Sequence, residues 1–180
     1  MFIVLEGIDA SGKTTVSKLL ATKIGGIVYK TPPEKYRLLR HTIDVKPGTM
    51  EHYIFYRDSI LEASIEIGNL LQGGNNIICD RYWLSTVVYH RAGNLDVDSS
   101  DFSGVIVPDL TVFFYVSPVE QVKRSSQRYD DICSDITGKQ LEITNLYWQE
   151  LLKSGLSFIT INTDNIQPEQ SVNIIVNAIL

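Results

Sequence analysis

The residues at positions 7 to 15 have the types and spacing needed to bind the phosphates of a nucleotide. The segment from Gly7 to Thr14 reads Gly-Ile-Asp-Ala-Ser-Gly-Lys-Thr and matches the pattern G-x-x-x-x-G-K-[ST]. Glycines allow the backbone to turn so that successive N–H groups point at phosphate oxygens, and the following helix adds its positive N-terminal end. The predicted nucleotide contacts are Gly7, Ile8, Asp9, Ala10, Ser11, Gly12, Lys13, Thr14 and Thr15.

Two side chains of this segment and one from a later segment suit phosphoryl transfer. We expect Lys13 to bridge the β and γ phosphates of ATP and the Thr14 hydroxyl to bind Mg²⁺. Asp80 ends a short apolar run and is predicted to lie on the metal side, through a bound water. The alternative is that Asp80 only caps the helix that follows it. The phosphate loop favours the metal role.

Strands that alternate with helices must position these residues. An apolar, β-branched run at 2–5 precedes the loop, and a helical pattern at 14–24 follows it. Further strands are predicted at 26–30, 76–79, 110–116 and 157–162, with helices at 34–42, 51–71, from 84, at 118–126, at 139–153 and from 168 onward. This alternation predicts an α/β fold with a doubly wound parallel sheet, of the P-loop NTPase type.

Length, charge and cysteine content exclude several classes of protein. The 180 residues fit one domain, 1–180, without a linker or repeat. A formal net charge of -5 argues against binding a nucleic acid polymer. Cys79 and Cys133 belong to no metal-binding or disulfide pattern. Because no apolar run approaches ~20 residues and no basic leader is present, we expect no membrane span and a cytoplasmic location.

Several segments together resemble the thymidylate kinase family. Residues 5–15 are similar to the phosphate loop of that family, and three further segments occur in its order along the whole chain: Phe55-Tyr-Arg57, Asp80-Arg81-Tyr82 with Ser85 and Tyr89, and Gln127-Arg-Tyr-Asp130. The resemblance implies a nucleoside monophosphate kinase that transfers the γ-phosphate of ATP to dTMP, with Mg²⁺. It also implies a homodimer built on helices.

The resemblance implies roles for residues at the acceptor site. Asp9 would hydrogen-bond the deoxyribose 3′-hydroxyl or an arginine that binds phosphate, and Arg81 would bind the acceptor phosphate. Tyr53 and Arg57 lie one helical turn apart, so the ring would stack on the base while the guanidinium donates to a base carbonyl. Further acceptor contacts are predicted for Lys35, Ser85, Tyr89 and Tyr129.

A polar segment at about 124–138 is predicted to form a helical lid over ATP. Arg124 and Arg128 are one helical turn apart, and closure would bring their positive charge to the transferring phosphoryl group. Some thymidylate kinases carry a catalytic arginine where this chain has Ala10, so the lid arginines should supply that charge. The predicted catalytic residues are Asp9, Lys13, Arg81, Arg124 and Arg128.

The segment after the second strand departs from the family pattern. The family commonly places an arginine in a short Pro-containing turn, whereas this chain reads Thr-Pro-Pro-Glu-Lys up to Lys35. Lys35 is the predicted replacement, with Arg37 or Arg40 as alternatives. Since lysine lacks the planar fork that binds phosphate bidentately, the acceptor stays open between dTMP and other pyrimidine nucleotides.

Two alternatives to dTMP phosphorylation follow from different chemistry. A monophosphate acceptor is already mostly dianionic and needs no general base. A deoxynucleoside acceptor would need a carboxylate base, and Glu6 lies beside the phosphate loop. From a different class, a nucleotide-binding regulator would bind ATP without efficient turnover.

Overall fold

Five parallel strands form one sheet in the computed structural model, which describes residues 1–126 and 138–180. The strands lie in the order β2-β3-β1-β4-β5, and every neighbouring pair is parallel. This order confirms the predicted doubly wound parallel sheet. The strands are β1 (Phe2–Gly7), β2 (Gly26–Lys30), β3 (Asn76–Asp80), β4 (Leu110–Tyr115) and β5 (Phe158–Asn162).

Helices cover both faces of the sheet and begin and end within about two residues of their predicted limits. One exception is the segment predicted as a single helix at 34–42, where a 3₁₀ turn (Glu34–Tyr36) precedes the helix. None of the helices in the described ranges is long and apolar enough to cross a membrane. The helices are α1 (Lys13–Ile24), α2 (Arg37–Ile43), α3 (Met50–Gln72), α4 (Trp83–Ala92), α5 (Pro118–Ser126), α6 (Gln140–Ser154) and α7 (Pro168–Ile179).

Alternate residues of β1 enter different hydrophobic clusters, as the period of two in a strand requires. Phe2 and Val4 pack with residues of α3, including Ile60. Ile3 and Leu5 pack with residues of α1 and α7 on the opposite face. Because β1 is buried on both faces, its sequence is continuously apolar up to Glu6.

The phosphate loop leaves the sheet from its central strand. β1 lies between β3 and β4, with Leu5 in register with Asp80 and Gly7 in register with Phe114. The loop and Asp80 therefore meet at the carboxyl edge of the sheet, which is where open α/β sheets bind their ligands.

Candidate active site

The backbone of the phosphate loop adopts conformations that most residues with a side chain avoid. Gly7 has φ 141°, and a Cβ atom there would lie 2.1 Å from the carbonyl oxygen of Phe114. Glycine is therefore required for the loop to leave β1 so close to β4. Ala10 has φ 60°, a left-handed conformation that costs roughly 1 kcal/mol or more for a residue with a side chain.

Lys13 folds back onto the loop and is almost fully buried. Its Nζ donates to the carbonyl oxygen of Ile8 at 2.6 Å and to the Ser11 hydroxyl at 3.3 Å. Burial, followed by the nearby positive charge of Arg81, lowers the pKa of Lys13 to about 7. Phosphate oxygens in the loop would replace these neutral partners and favour the charged ammonium.

Thr14 and Asp80 come together as the sequence predicts for a metal site. The Thr14 hydroxyl donates to Oδ2 of Asp80 at 2.6 Å, and Asp80 is 3% exposed. Both donors are oxygen atoms, which Mg²⁺ prefers. The described residues hold no cluster of three or more His, Cys, Asp or Glu side chains around this pair. Such a sparse donor set fits Mg²⁺, since the ion retains several waters and takes further oxygens from phosphates.

Arg81 follows Asp80 in a left-handed conformation with φ 71°. The turn is held by hydrogen bonds on both sides: the Arg81 N–H donates to Leu5, while the Arg81 carbonyl accepts from the Thr31 hydroxyl at 2.9 Å and from the Cys79 thiol. A non-glycine residue kept in this conformation is typical of a functional site.

The Arg81 guanidinium lies beside the phosphate loop. It forms an ion pair with Asp9, and its Nη1 donates to the Gly7 carbonyl at 3.0 Å and to the Ser85 hydroxyl at 3.1 Å. Its Nη2 contacts the Tyr89 hydroxyl at 3.3 Å. Four of the predicted site residues, Asp9, Arg81, Ser85 and Tyr89, are thus brought together.

Glu6 lies beneath this group and is fully buried. Its carboxylate accepts from the Tyr82 N–H at 2.9 Å and from the Ser85 hydroxyl, which also contacts Tyr147 at 2.8 Å. Desolvation raises the pKa of Glu6, opposed by the hydrogen bond from Ser85. Since Glu6 is 0% exposed, it cannot reach the hydroxyl of a nucleoside in this arrangement. It positions Ser85 and, through it, Arg81.

Two of the predicted acceptor residues contact other parts of the chain in this conformation. Tyr53 is 2% exposed within the core, and its hydroxyl donates to Asp101 at 2.7 Å, so no ring face is open for a base. The Nζ of Lys35 forms ion pairs with Glu62 and Glu66 of α3. Both ion pairs would have to break before Lys35 could bind the acceptor phosphate in place of the missing arginine.

The remaining predicted residues have separate positions. Arg57 is partly exposed on α3 and pairs with Asp58 at 2.8 Å, without a contact that tests its predicted role. The Arg124 guanidinium donates to the carbonyl of Ala10 in the loop at 3.4 Å and to Thr163. Arg128 and Tyr129, with most of the predicted lid, lie outside the described residues.

Three residues of the site were not identified from the sequence. Tyr147 of α6 contacts Ser85, while Gln121 of α5 and Thr163 after β5 contact the backbone of the phosphate loop. Thr163 does carry a positional signal, because it directly follows a strand whose carboxyl end lies at the ligand-binding edge. Tyr147 and Gln121 carry none, since aromatic and amide side chains on a helix usually pack or face solvent.

The combination of a phosphate-binding loop, a buried loop lysine and a strand-end carboxylate at the carboxyl edge of a parallel sheet defines a P-loop NTPase-type enzyme. Comparison with protein families then narrows the class. The model of the family described as thymidylate kinase matches residues 5–175, and the chain belongs to this family. It is therefore an ATP-dependent kinase.

Relatives agree with this assignment, and solved structures share the fold. The chain is 34% identical to the probable thymidylate kinase of Methanococcus aeolicus over 91% of its length and 88% of the relative. It is 32% identical to that of Methanococcus vannielii, over 96% and 91%. The thymidylate kinase of Candida albicans has a similar fold, with TM-score 0.79, 21% identity and coverage of 98% and 89%. A deoxyadenosine kinase from M. mycoides also shares the fold, with TM-score 0.75, 20% identity and 99% coverage of both chains.

Proposed function

We propose that this chain transfers the γ-phosphate of ATP to the phosphate of dTMP, giving dTDP and ADP. The observation that carries the proposal is the position of Arg81. Its guanidinium lies next to the phosphate loop and is held there by Asp9, Gly7 and Ser85. A planar donor at this distance from the donor-phosphate site suits a second phosphate, because guanidinium binds phosphate oxygens bidentately.

The donor side of the reaction depends on the loop and its lysine. In the proposal, the loop N–H groups bind the ATP phosphates and Lys13 moves from the Ile8 carbonyl to the β and γ phosphates. Thr14 and Asp80 would hold Mg²⁺, which neutralises charge on the phosphates when it is bound. The Thr14–Asp80 contact at 2.6 Å supports this part of the proposal, because it brings both oxygen donors together beside the loop.

The acceptor side needs positioning rather than proton removal. The phosphate of a monophosphate is mostly dianionic at pH 7, so its oxygen is a competent nucleophile. Arg81 would hold this phosphate in line with the γ-phosphate while Asp9 keeps the guanidinium oriented. The burial of Glu6 agrees with a reaction that has no carboxylate base.

Recognition of the base and sugar is the least constrained part of the proposal. Ser85, Tyr89 and Arg57 remain proposed acceptor contacts. The centroid of the Tyr89 ring lies 5.0 Å from Cζ of Arg81. Arg128 and Tyr129 remain proposed lid residues, the first acting on the transferring phosphoryl group and the second near the sugar.

The proposal also covers the oligomeric state of the protein and its location in the cell. We expect a homodimer, supported by exposed apolar side chains on neighbouring helices: Leu38, Leu39, Ile54 and Ile65. Light scattering during size-exclusion chromatography measures this directly. We also expect the reaction to take place in the cytoplasm, where ATP and dTMP are both available.

A panel of acceptors tests the proposed substrate. ADP release from ATP-Mg²⁺ would be measured with dTMP, dUMP, UMP, dCMP, CMP, AMP, GMP and thymidine. We expect dTMP to be best and dUMP weaker, because the missing methyl group is worth about 1 to 3 kcal/mol. A better rate with UMP or CMP would contradict the choice of dTMP. A best rate with thymidine would contradict the reaction type.

A further inference from the structure

Three consecutive carbonyl groups of the phosphate loop are held from outside by side chains of distant segments. Nε2 of Gln121 donates to the carbonyl of Asp9 at 3.1 Å, and Nη1 of Arg124 donates to that of Ala10 at 3.4 Å. The Thr163 hydroxyl donates to the carbonyl of Ser11 at 3.1 Å. Gln121 and Arg124 both belong to α5, whereas Thr163 directly follows β5.

The three side chains form one connected group, which we call the carbonyl clamp. Arg124 donates through Nη1 to the Thr163 hydroxyl at 3.0 Å and through Nη2 to the Thr163 carbonyl at 2.5 Å. Its Nε is held by Glu120 at 3.0 Å. Gln121 and Thr163 are 8% and 4% exposed. The contacts of Gln121 and Thr163 are therefore largely shielded from water, and the partly exposed Arg124 is held by several hydrogen bonds at once.

Holding a carbonyl also fixes the N–H of the next residue, because the two groups share one rigid peptide plane and point in opposite directions. A clamp on Asp9, Ala10 and Ser11 thus sets the N–H directions of Ala10, Ser11 and Gly12. These are N–H groups that a phosphate-binding loop must point inward. The clamp also explains how Ala10 is kept in its unfavourable left-handed conformation, since its carbonyl is tied to Arg124.

We infer that Gln121, Arg124 and Thr163 are positioning residues that preorganise the phosphate loop for the triphosphate. The inference rests on the proposed binding of ATP at this loop. It changes the role predicted for Arg124, whose guanidinium acts on the loop backbone and not on the transferring phosphoryl group. It also makes the part of α5 from Gln121 to Arg124, where the predicted lid begins, part of the donor site.

Thr163 offers a matched pair of variants. Thr163→Val keeps the shape of the side chain but removes the hydroxyl, whereas Thr163→Ser keeps the hydroxyl. Calorimetric titration with ATP-Mg²⁺ should show about fivefold weaker binding for Thr163→Val, since one lost hydrogen bond is worth about 1 kcal/mol. Thr163→Ser should stay within about twofold of the parent protein, and the KM for dTMP should be unchanged in both.

Tripolyphosphate with Mg²⁺ separates the loop from the rest of the nucleotide. Because the clamp acts through the loop backbone, Thr163→Val should weaken tripolyphosphate binding by the same factor as ATP binding. Equal ATP affinity in Thr163→Val and the parent would overturn the inference. A loss for ATP without a loss for tripolyphosphate would also overturn it, because Thr163 would then act on the adenosine part.

Gln121 provides an independent test if Thr163→Val fails to fold. Gln121→Met removes the donor to Asp9 while keeping the length of the side chain, and it should weaken ATP and tripolyphosphate to a similar extent. Unchanged affinity for both ligands would contradict the clamp. The parent protein separates this result from the proposed function: if the parent itself binds no ATP, the proposed function fails, whereas a parent that phosphorylates dTMP leaves only the clamp in question.

Discussion

The binding of ATP should weaken steeply above pH 7, because Lys13 must gain a proton to act on the phosphates. The pKa of this buried lysine is about 7 in the free protein. About half of the molecules then carry the ammonium at pH 7, but only about one in a hundred at pH 9. If phosphate oxygens keep the bound lysine charged, the Kd for ATP should rise about 50-fold between these pH values, or ~2 kcal/mol.

Calorimetric titrations with ATP-Mg²⁺ at pH 7, 8 and 9 measure this effect without turnover, since no acceptor is added. Repeating each titration in buffers of different ionisation enthalpy gives the number of protons taken up. The expected uptake is about half a proton per ATP at pH 7 and nearly one at pH 9. Lys13→Arg is the matched control, because a guanidinium stays charged and its Kd should not depend on pH in this range. A change in Kd of less than threefold for the parent, or no proton uptake at pH 9, would show that Lys13 does not gain a proton when ATP binds.

Two further predictions concern His90 and the lid. Burial lowers the pKa of His90 to about 4. As the pH falls below 6.5, the unfolded chain therefore binds a proton at His90 that the folded chain does not bind. The parent should lose ~3 kcal/mol of stability between pH 6.5 and 4. His90→Gln should remove that loss, whereas the control His41→Gln at an exposed position should not. Urea unfolding at each pH measures the stability. Identical pH profiles for the parent and His90→Gln would contradict the role of His90. Arg128→Ala should lower kcat by roughly 10³ with a smaller change in KM. Lys153→Ala is the control, because this exposed cation at the end of α6 has no proposed role, and both constants should stay near parental values. Steady-state kinetics decides, and a rise in KM alone would make Arg128 a binding residue.

The fold was predictable because its local signals agree with one another. Short β-branched runs alternate with helical segments, and the phosphate-loop pattern lies between the first strand and the first helix, as its chemistry requires. The Thr14–Asp80 pair was also predictable, since the carboxyl ends of parallel strands meet at one edge of the sheet.

The partners of individual side chains were harder to predict, because they depend on packing between segments far apart in sequence. The spacing of Tyr53 and Arg57 showed that they share a helix face, but it did not show that Tyr53 lies in the core. Likewise, the position of Lys35 after the second strand did not reveal the two carboxylates of α3. The contact between Thr163 and the loop joins residues 152 positions apart, which no local pattern records.

Direct phosphoryl transfer from ATP to a nucleoside monophosphate can be followed with an isotopic label. The protein would be incubated with [γ-³²P]ATP, Mg²⁺ and dTMP, and the labelled products separated by chromatography. We expect one labelled dTDP for each ADP formed, and loss of labelled dTDP in Lys13→Ala. Label recovered only as inorganic phosphate would contradict transfer to a monophosphate, as would label incorporated into thymidine in preference to dTMP when both are supplied.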